Sequence, residues 1–386
     1  MSAQTFSATE LLAHLVAFDT TSWKSNRDLI AFVAGYLASH GIESQLVPTA
    51  NGQKASLYAT IGPTDVPGIA LSGHTDVVPV DGQAWDTEPF TLTQRGGKLY
   101  GRGTTDMKGF LACVLAAVPD LARRKLAVPF HIVFSYDEEI GCIGVRPLLA
   151  ELGARLPRPR MVIVGEPTTM AVVDAHKGPV RWVVEVRGRA AHSSMAPLGV
   201  NAITYSARLL GELARIEADL REAAADPRFD PPYCTLQVTQ IEGGTATNIV
   251  PVGCRFSFDV RALPGFDVGT VERRLRDFAE THCLPEMRAV APEADISIRQ
   301  ANNVPPFAAD PSAEVVALVL RLLGQNRTHT VSYGTEAGLF QDAGVPAVVC
   351  GPGSISEAHT ANEWIAASEL DKCSAFLTSL ADWAEG

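Results

Sequence analysis

Residues 68–76 read Gly-Ile-Ala-Leu-Ser-Gly-His-Thr-Asp, an apolar run that ends on an imidazole and a carboxylate. A run without polar alternation suits a strand covered on both faces, as in parallel sheets flanked by helices. SLYATIG (56–62), HIVFSY (131–136) and MVIVG (161–165) share this texture. Helical stretches stand between some of these runs, among them MKGFLACVLAAVPDLARRK (107–125) and VRPLLAEL (145–152). Alternation of this kind predicts an α/β domain built on a mostly parallel sheet. Ser7-Ala8-Thr9-Glu10 reads as a capping box. Ile30, Val33, Ala34 and Leu37 mark one face of a second helix, closed by Gly41. KLYGRG (98–103) reads as one arm of a hairpin.

From about Gly178 the texture changes. VRWVVEVRG (180–188), TLQVTQIEGG (235–244) and CRFSFDVRAL (254–263) alternate apolar and polar residues, as strands of an antiparallel sheet with one covered face do. With two amphipathic helices (201–220 and 269–282) and the strand DISIRQ (295–300), the order is β-α-β-β-α-β, a ferredoxin-like split βαβ. Helix–strand alternation then resumes to the C-terminus. The expected organisation is a discontinuous catalytic domain (1–178 and 300–386) interrupted by an inserted α+β domain (179–299).

The chain has 386 residues, 46% hydrophobic and 19% charged, which fits a globular protein too long for one core. A net charge of -11 argues against nucleic acid or anionic membrane as partners. The N-terminus lacks the basic and apolar regions of a secretory signal, and no apolar run is long enough to span a bilayer. Seven cysteines without CxxC pairing suit reduced, buried thiols in a cytoplasmic protein, where the Asn326-Arg327-Thr328 sequon would stay unmodified.

Chemistry concentrates at the ends of the buried runs. In open α/β sheets, ligands gather beyond the C-terminal ends of the strands. His74 follows IALSG, Glu139 follows HIVFSYDE, and Glu166 follows MVIVG. Asp106 sits in the Gly-rich YGRGTTDMKG, where it reads equally well as a helix N-cap. His359 lies in CGPGSISEAHTANE. Two imidazoles and three carboxylates suit two divalent ions sharing one carboxylate, which points to metal-assisted hydrolysis. Asp76 is placed to orient His74. Glu138, beside Glu139, is a candidate general base. His14, His40, His131, His176, His282 and His329 fall in no comparable motif and read as structural. No G-x-S-x-G elbow is present, and no cysteine has a convincing histidine partner. A metal-stabilised binding protein would not need the spare carboxylate of Glu138.

These five motifs, in this order, resemble the di-zinc aminoacylase, deacetylase and carboxypeptidase family over essentially the whole chain. The resemblance implies one metal on His74 and Glu166, another on Glu139 and His359, and Asp106 as the bridge, followed by a cis peptide to Met107. It implies two divalent ions, Zn²⁺ with Co²⁺ as a substitute. Glu138 would be the general base and Asp76 the partner of His74. The inserted domain resembles the family's lid and dimerisation domain, which implies a homodimer. His192, in AHSS, would then reach the partner subunit's site to stabilise the oxyanion. Asn248 (TNIVP) and Arg261 (DVR) would bind the substrate carboxylate, although Arg261 also reads as half of a strand-end ion pair. The stretch SYGTEAGLFQDAGVPAVVCGPGSISEAHTANE (332–363) is most similar to members that cleave N2-acetyl-L-ornithine to ornithine and acetate. An N-succinyl-diaminopimelate, another N-acyl amino acid or a dipeptide is the alternative substrate. Independently of the family, Glu336 could pair with the free ammonium of acetylornithine; it reads equally as a helix-terminal acid.

Overall fold

The computed structural model describes residues 4–223 and 225–386. The chain forms two units, one of Met1–Ala175, Ala308–His329 and Thr335–Gly386, the other of His176–Phe307 and Thr330–Gly334. The inserted domain expected at 179–299 lies inside the second unit, which extends further at both ends and takes in a short return segment.

The first unit is built on a mixed sheet. Its strands are β1 (Ser44–Pro48), β2 (Ala55–Ile61), β3 (Ile69–His74), β4 (Phe130–Ser135), β5 (Met161–Val164) and β6 (Val173–His176), joined by the short strand Ala347–Val349. The order runs β1, β2, β4, β3, β5, Ala347–Val349, β6, with Phe307–Ala308 at the far edge. β4, β3, β5 and Ala347–Val349 are parallel. β1 and β2 are antiparallel to their neighbours, Leu57 pairing with Leu46 on one side and Phe134 on the other. The sheet is therefore less parallel than its apolar runs suggested. A strand covered on both faces carries the same apolar pattern in either direction.

The ends of the parallel strands share one edge. His74 of β3 aligns with Ser135 of β4, and Ser72 of β3 with Val164 of β5. Two glycines let the helix Gly109–Leu121 approach this edge. A Cβ on Gly73 would stand 2.5 Å from Cε of Met107, and one on Gly165 would stand 2.1 Å from the Phe110 ring. Each glycine immediately precedes a candidate ligand, so the close approach brings the Asp106 loop beside His74 and Glu166. Leu111, Leu115 and Val118 of that helix join Leu11 and Leu15 of Ala8–Val16, and Phe376 and Leu380 of Ala367–Ala384, in one apolar core. Burying each such side chain contributes on the order of 2 kcal/mol. The first of these helices starts at the expected capping box: Ser7 and Glu10 bond reciprocally. The hairpin expected around KLYGRG pairs Thr93–Arg95 with Lys98–Tyr100 and adds Trp364–Ala366 as a third strand.

In the second unit, β7 (Gly178–Arg187), β8 (Thr235–Gly243), β9 (Gly253–Ala262) and β10 (Asp295–Asn303) form an antiparallel sheet ordered β8-β9-β7-β10. With helices Ala202–Glu222 and Gly269–Phe278, this is the split βαβ arrangement read from the alternating stretches. Asn201 caps the long helix by accepting the Thr204 N–H, and Leu209, Leu213, Ile216 and Leu220 form its buried stripe. Trp182 stacks on Phe258 at 5.0 Å, across the β7–β9 pair. All seven cysteines are buried and unpaired. No described helix is long and apolar enough to cross a membrane.

Candidate metal centre

His74, at the end of β3, Asp106, before the helix Gly109–Leu121, Glu139, past β4, Glu166, past β5, and His359 converge at the parallel edge of the first unit. Asp106 is central. Its Oδ1 lies 3.0 Å from Nε2 of His74 and its Oδ2 lies 3.3 Å from Nε2 of His359. Each oxygen thus faces a different imidazole, as a carboxylate shared between two cations must. Glu166 completes the His74 side at 3.7 Å, and Glu139 the His359 side at 3.1 Å. Asp106 caps no helix, and its peptide to Met107 is cis.

The electrostatics favour cations. Among the described residues, the ion-pair partners of Asp106, Glu139 and Glu166 are the two imidazoles alone. Burial raises the Glu166 carboxyl well above its ordinary value, and Asp106, Glu138 and Glu139 add to this against the pull of His74. Glu139 is raised by burial and by Asp106. His359 is pushed up to about 11 by its hydrogen bonds to Asp106 and Glu139. His74 is also raised: Glu166, Asp106 and Asp76 together outweigh its burial. Carboxylates that repel one another, and imidazoles that hold protons against them, describe a cluster short of positive charge. Neutral imidazoles and carboxylates are a donor set suited to Zn²⁺ or Co²⁺ and poorly suited to Ca²⁺ or Mg²⁺.

Asp76 meets His74 through both its main chain and its carboxylate. The closest acceptor to Nδ1 of His74 is the main-chain oxygen of Asp76, at 2.9 Å; the Asp76 carboxylate stands 3.5 Å away. That carboxylate also accepts the backbone N–H groups of Glu138 and Glu139 and the hydroxyl of Ser22. It thereby fixes the loop that carries both glutamates. Beside it, Lys54 pairs with Asp137 and donates to the Ser22 carbonyl. Glu138 is part-buried and accepts from Cys142 Sγ at 3.2 Å. Ser22, Lys54 and Cys142 escaped the sequence reading. Ser22 and Lys54 lie in no ligand motif, whereas Cys142 follows Glu138 by four residues in the same loop.

Glu336 stands at the N-terminus of the helix Ala337–Asp342, as its helix-terminal reading has it. It is 1% exposed, and its oxygens accept the hydroxyls of Ser135 (2.5 Å) and Ser72 (3.3 Å), both from the parallel strands. Burial raises its carboxyl to about 7.

The remaining candidates belong to the second unit. His192 is exposed, with Nδ1 2.8 Å from the Ser194 hydroxyl. Asn248 is exposed, and its carbonyl accepts the Ser193 N–H. Arg261 donates from Nε to Asp259 at 2.8 Å, the ion pair that was its alternative reading. It also lines a cavity of about 420 Å³ with Arg181, Gln237, Ser257 and Asp259.

Comparison with known proteins agrees with this geometry. Residues 70–383 match the family described as peptidase family M20/M25/M40. The chain is 36% identical over 364 residues to an acetylornithine deacetylase of Pasteurella multocida (strain Pm70), covering 92% of this chain and 91% of that protein. Its fold is similar to an M20-family metallo-carboxypeptidase of Sulfolobus solfataricus (TM-score 0.78, 19% identity, 99% and 100% coverage). It is also similar to an aminopeptidase of Bacillus cereus (TM-score 0.75, 21% identity, 98% of both chains). With His74, Asp106, Glu139, Glu166 and His359 gathered on one edge of a mixed α/β sheet, the chain belongs to the M20/M25/M40 peptidase family.

Proposed function

We propose that this protein hydrolyses the amide of an N-acyl amino acid, with N2-acetyl-L-ornithine as its substrate and L-ornithine and acetate as products. The observation that carries the hydrolytic reading is the division of the Asp106 oxygens between His74 and His359. The 36% relative supports the choice of substrate. His74 and Glu166 would hold one ion, Glu139 and His359 the second, and Asp106 both. Two such ions, Zn²⁺ or Co²⁺, would supply a water acidified toward neutrality and polarise the acyl carbonyl.

The chain's own residues do the rest. Glu138 accepts the proton of the attacking water and returns it to the leaving α-amine. Asp76, through the N–H groups of Glu138 and Glu139, keeps base and ligand in register. His192 donates to the developing oxyanion from the other subunit of a homodimer formed by the inserted lid domain, where one preorganised donor is worth about 3–4 kcal/mol. Asn248 and Arg261 hold the substrate carboxylate, Arg261 turning its fork from Asp259 to the ligand. The buried, unpaired cysteines favour a reducing, cytoplasmic setting.

The test is product release by zinc-loaded and chelator-treated protein, offered N-acetyl-L-ornithine, N-succinyl-L,L-diaminopimelate, N-acetyl-L-methionine and a dipeptide. Zinc-dependent preference for acetylornithine is expected. Preference for another substrate replaces the ornithine assignment and keeps the hydrolytic one. No release from any of them, with two ions bound, defeats both.

A further inference from the structure

The loop that carries Asp106 has an anchor outside the ligand set. Glu363, four residues beyond His359, is 1% exposed, and its carboxylate accepts four hydrogen bonds. Its Oε2 accepts the Gly103 N–H at 2.9 Å and Arg102 Nη1 at 2.8 Å. Its Oε1 accepts the Thr105 N–H at 2.9 Å and the Asp106 N–H at 3.2 Å. Three amides of one loop and a buried guanidinium thus converge on one carboxylate. The same guanidinium donates to Gln83 and to the carbonyls of Thr360 and Pro79. Gln83 Nε2 in turn donates to the carbonyl of His359 at 2.9 Å.

We propose that Glu363 is the positioning residue of Asp106, the carboxylate that would be shared by two ions: it clamps loop 103–106 so that the two Asp106 oxygens face His74 and His359, and through Arg102 and Gln83 it ties that loop to His359. The role rests on the dinuclear reading of the site. Geometry explains why a glutamate stands here. The four donors need an acceptor with two oxygens and no hydrogen, and only a carboxylate supplies it. Glutamine has the same volume, but it must turn an NH₂ toward one pair of these donors. Either two amides of the Asp106 loop lose their acceptor, or Gly103 and Arg102 do. Side chains that orient a ligand through hydrogen bonds typically change metal affinity by roughly 10–100-fold when removed.

The experiment is a Co²⁺ titration of chelator-treated wild-type protein, Glu363→Gln and Glu363→Asp, followed by calorimetry and by the visible absorption of the bound ion. The wild type is expected to take two ions per chain. Glu363→Gln should bind Co²⁺ at least about tenfold more weakly, with altered ligand-field bands. Glu363→Asp keeps the charge and falls one methylene short, so it should lie between the two. A folded Glu363→Gln with wild-type affinity and spectrum would overturn the proposal. If Glu363→Gln does not fold, a wild-type spectrum in Glu363→Asp would overturn it equally. A wild type that binds fewer than two ions would overturn the dinuclear reading, and that result is read from the wild-type titration alone.

Discussion

Glu138→Gln should make the metal-free protein more stable while removing its turnover. Burial pushes the Glu138 carboxyl up to about 8, with Glu139, Asp106 and Glu336 adding to the rise against the pull of His74. A folded-state pKa above the unfolded one means that the protonated form suits the fold. Stability is then fully present below the unfolded pKa and is lost as pH rises toward the folded value. Each unit of separation is about 1.4 kcal/mol, so at pH 7, where the fold still holds the proton that the unfolded chain has released, Glu138 destabilises the metal-free fold by on the order of 3 kcal/mol. Glutamine imitates the protonated form and is free of this penalty. The substitution also removes the group that moves the proton, which general-base catalysis values at roughly 10²–10⁴ in rate, or about 3–5 kcal/mol of barrier.

The assay is urea denaturation of chelator-treated wild type and variant at pH 5, 6.5 and 8, with turnover of acetylornithine by the zinc-loaded forms. The stability gap should favour the variant, widen from pH 5 to pH 8, and shrink once zinc is present, because the ions neutralise the repulsion. A gap that is absent at pH 8, or that narrows as pH rises, would refute the electrostatic reasoning. Wild-type turnover in the variant would refute the assignment of Glu138 as the base.

Glu336→Gln separates the two readings of that residue. A KM rise of about tenfold for acetylornithine, with none for N-acetyl-L-methionine, would mean that Glu336 pairs with the substrate ammonium, since one lost charge-assisted contact is worth about 1.5–3 kcal/mol. Equal effects on both substrates would mean that Glu336 serves only Ser72 and Ser135. Action of His192 across a dimer is tested by mixing Glu138→Ala with His192→Ala: the equilibrated mixture should regain up to about a quarter of wild-type activity, since one of four random site pairings is intact. Demonstrated subunit exchange without recovery would refute action in trans.

What the sequence disclosed is what short-range rules govern. His74, Glu139 and Glu166 were legible because each follows a buried apolar run, and parallel strands deliver such residues to one edge. The capping box at Ser7 and the alternating strands of the second unit were legible for the same local reason. The direction of β2 was not, because a doubly covered strand looks alike in both orientations. Nor was the clamp on Asp106, since Glu363 lies more than 250 residues away in the chain. The motif holding His359 did contain Glu363, but local pattern gives no sign of which amides a buried carboxylate will meet. For Glu336, sequence supplied charge and helix position without depth, and depth decides whether a ligand or two serines occupy its oxygens.

Asp76 and Glu363 point to a common principle in the build of this site. Neither is a ligand in the proposed arrangement, yet each accepts backbone N–H groups from a loop that carries one: Asp76 from Glu138 and Glu139, Glu363 from Thr105 and Asp106. A carboxylate is an effective loop clamp because it accepts several N–H bonds at once. Asp76 also adds negative charge beside a cluster already rich in carboxylates, whereas the charge of Glu363 is countered by the Arg102 guanidinium. Asp76 therefore both places its loop and deepens the field that draws cations. A fold whose buried carboxylates repel one another should gain stability from divalent ions. Metal binding and the folding of the first unit should be linked accordingly, with the ions contributing to the unit's stability and not only to its chemistry.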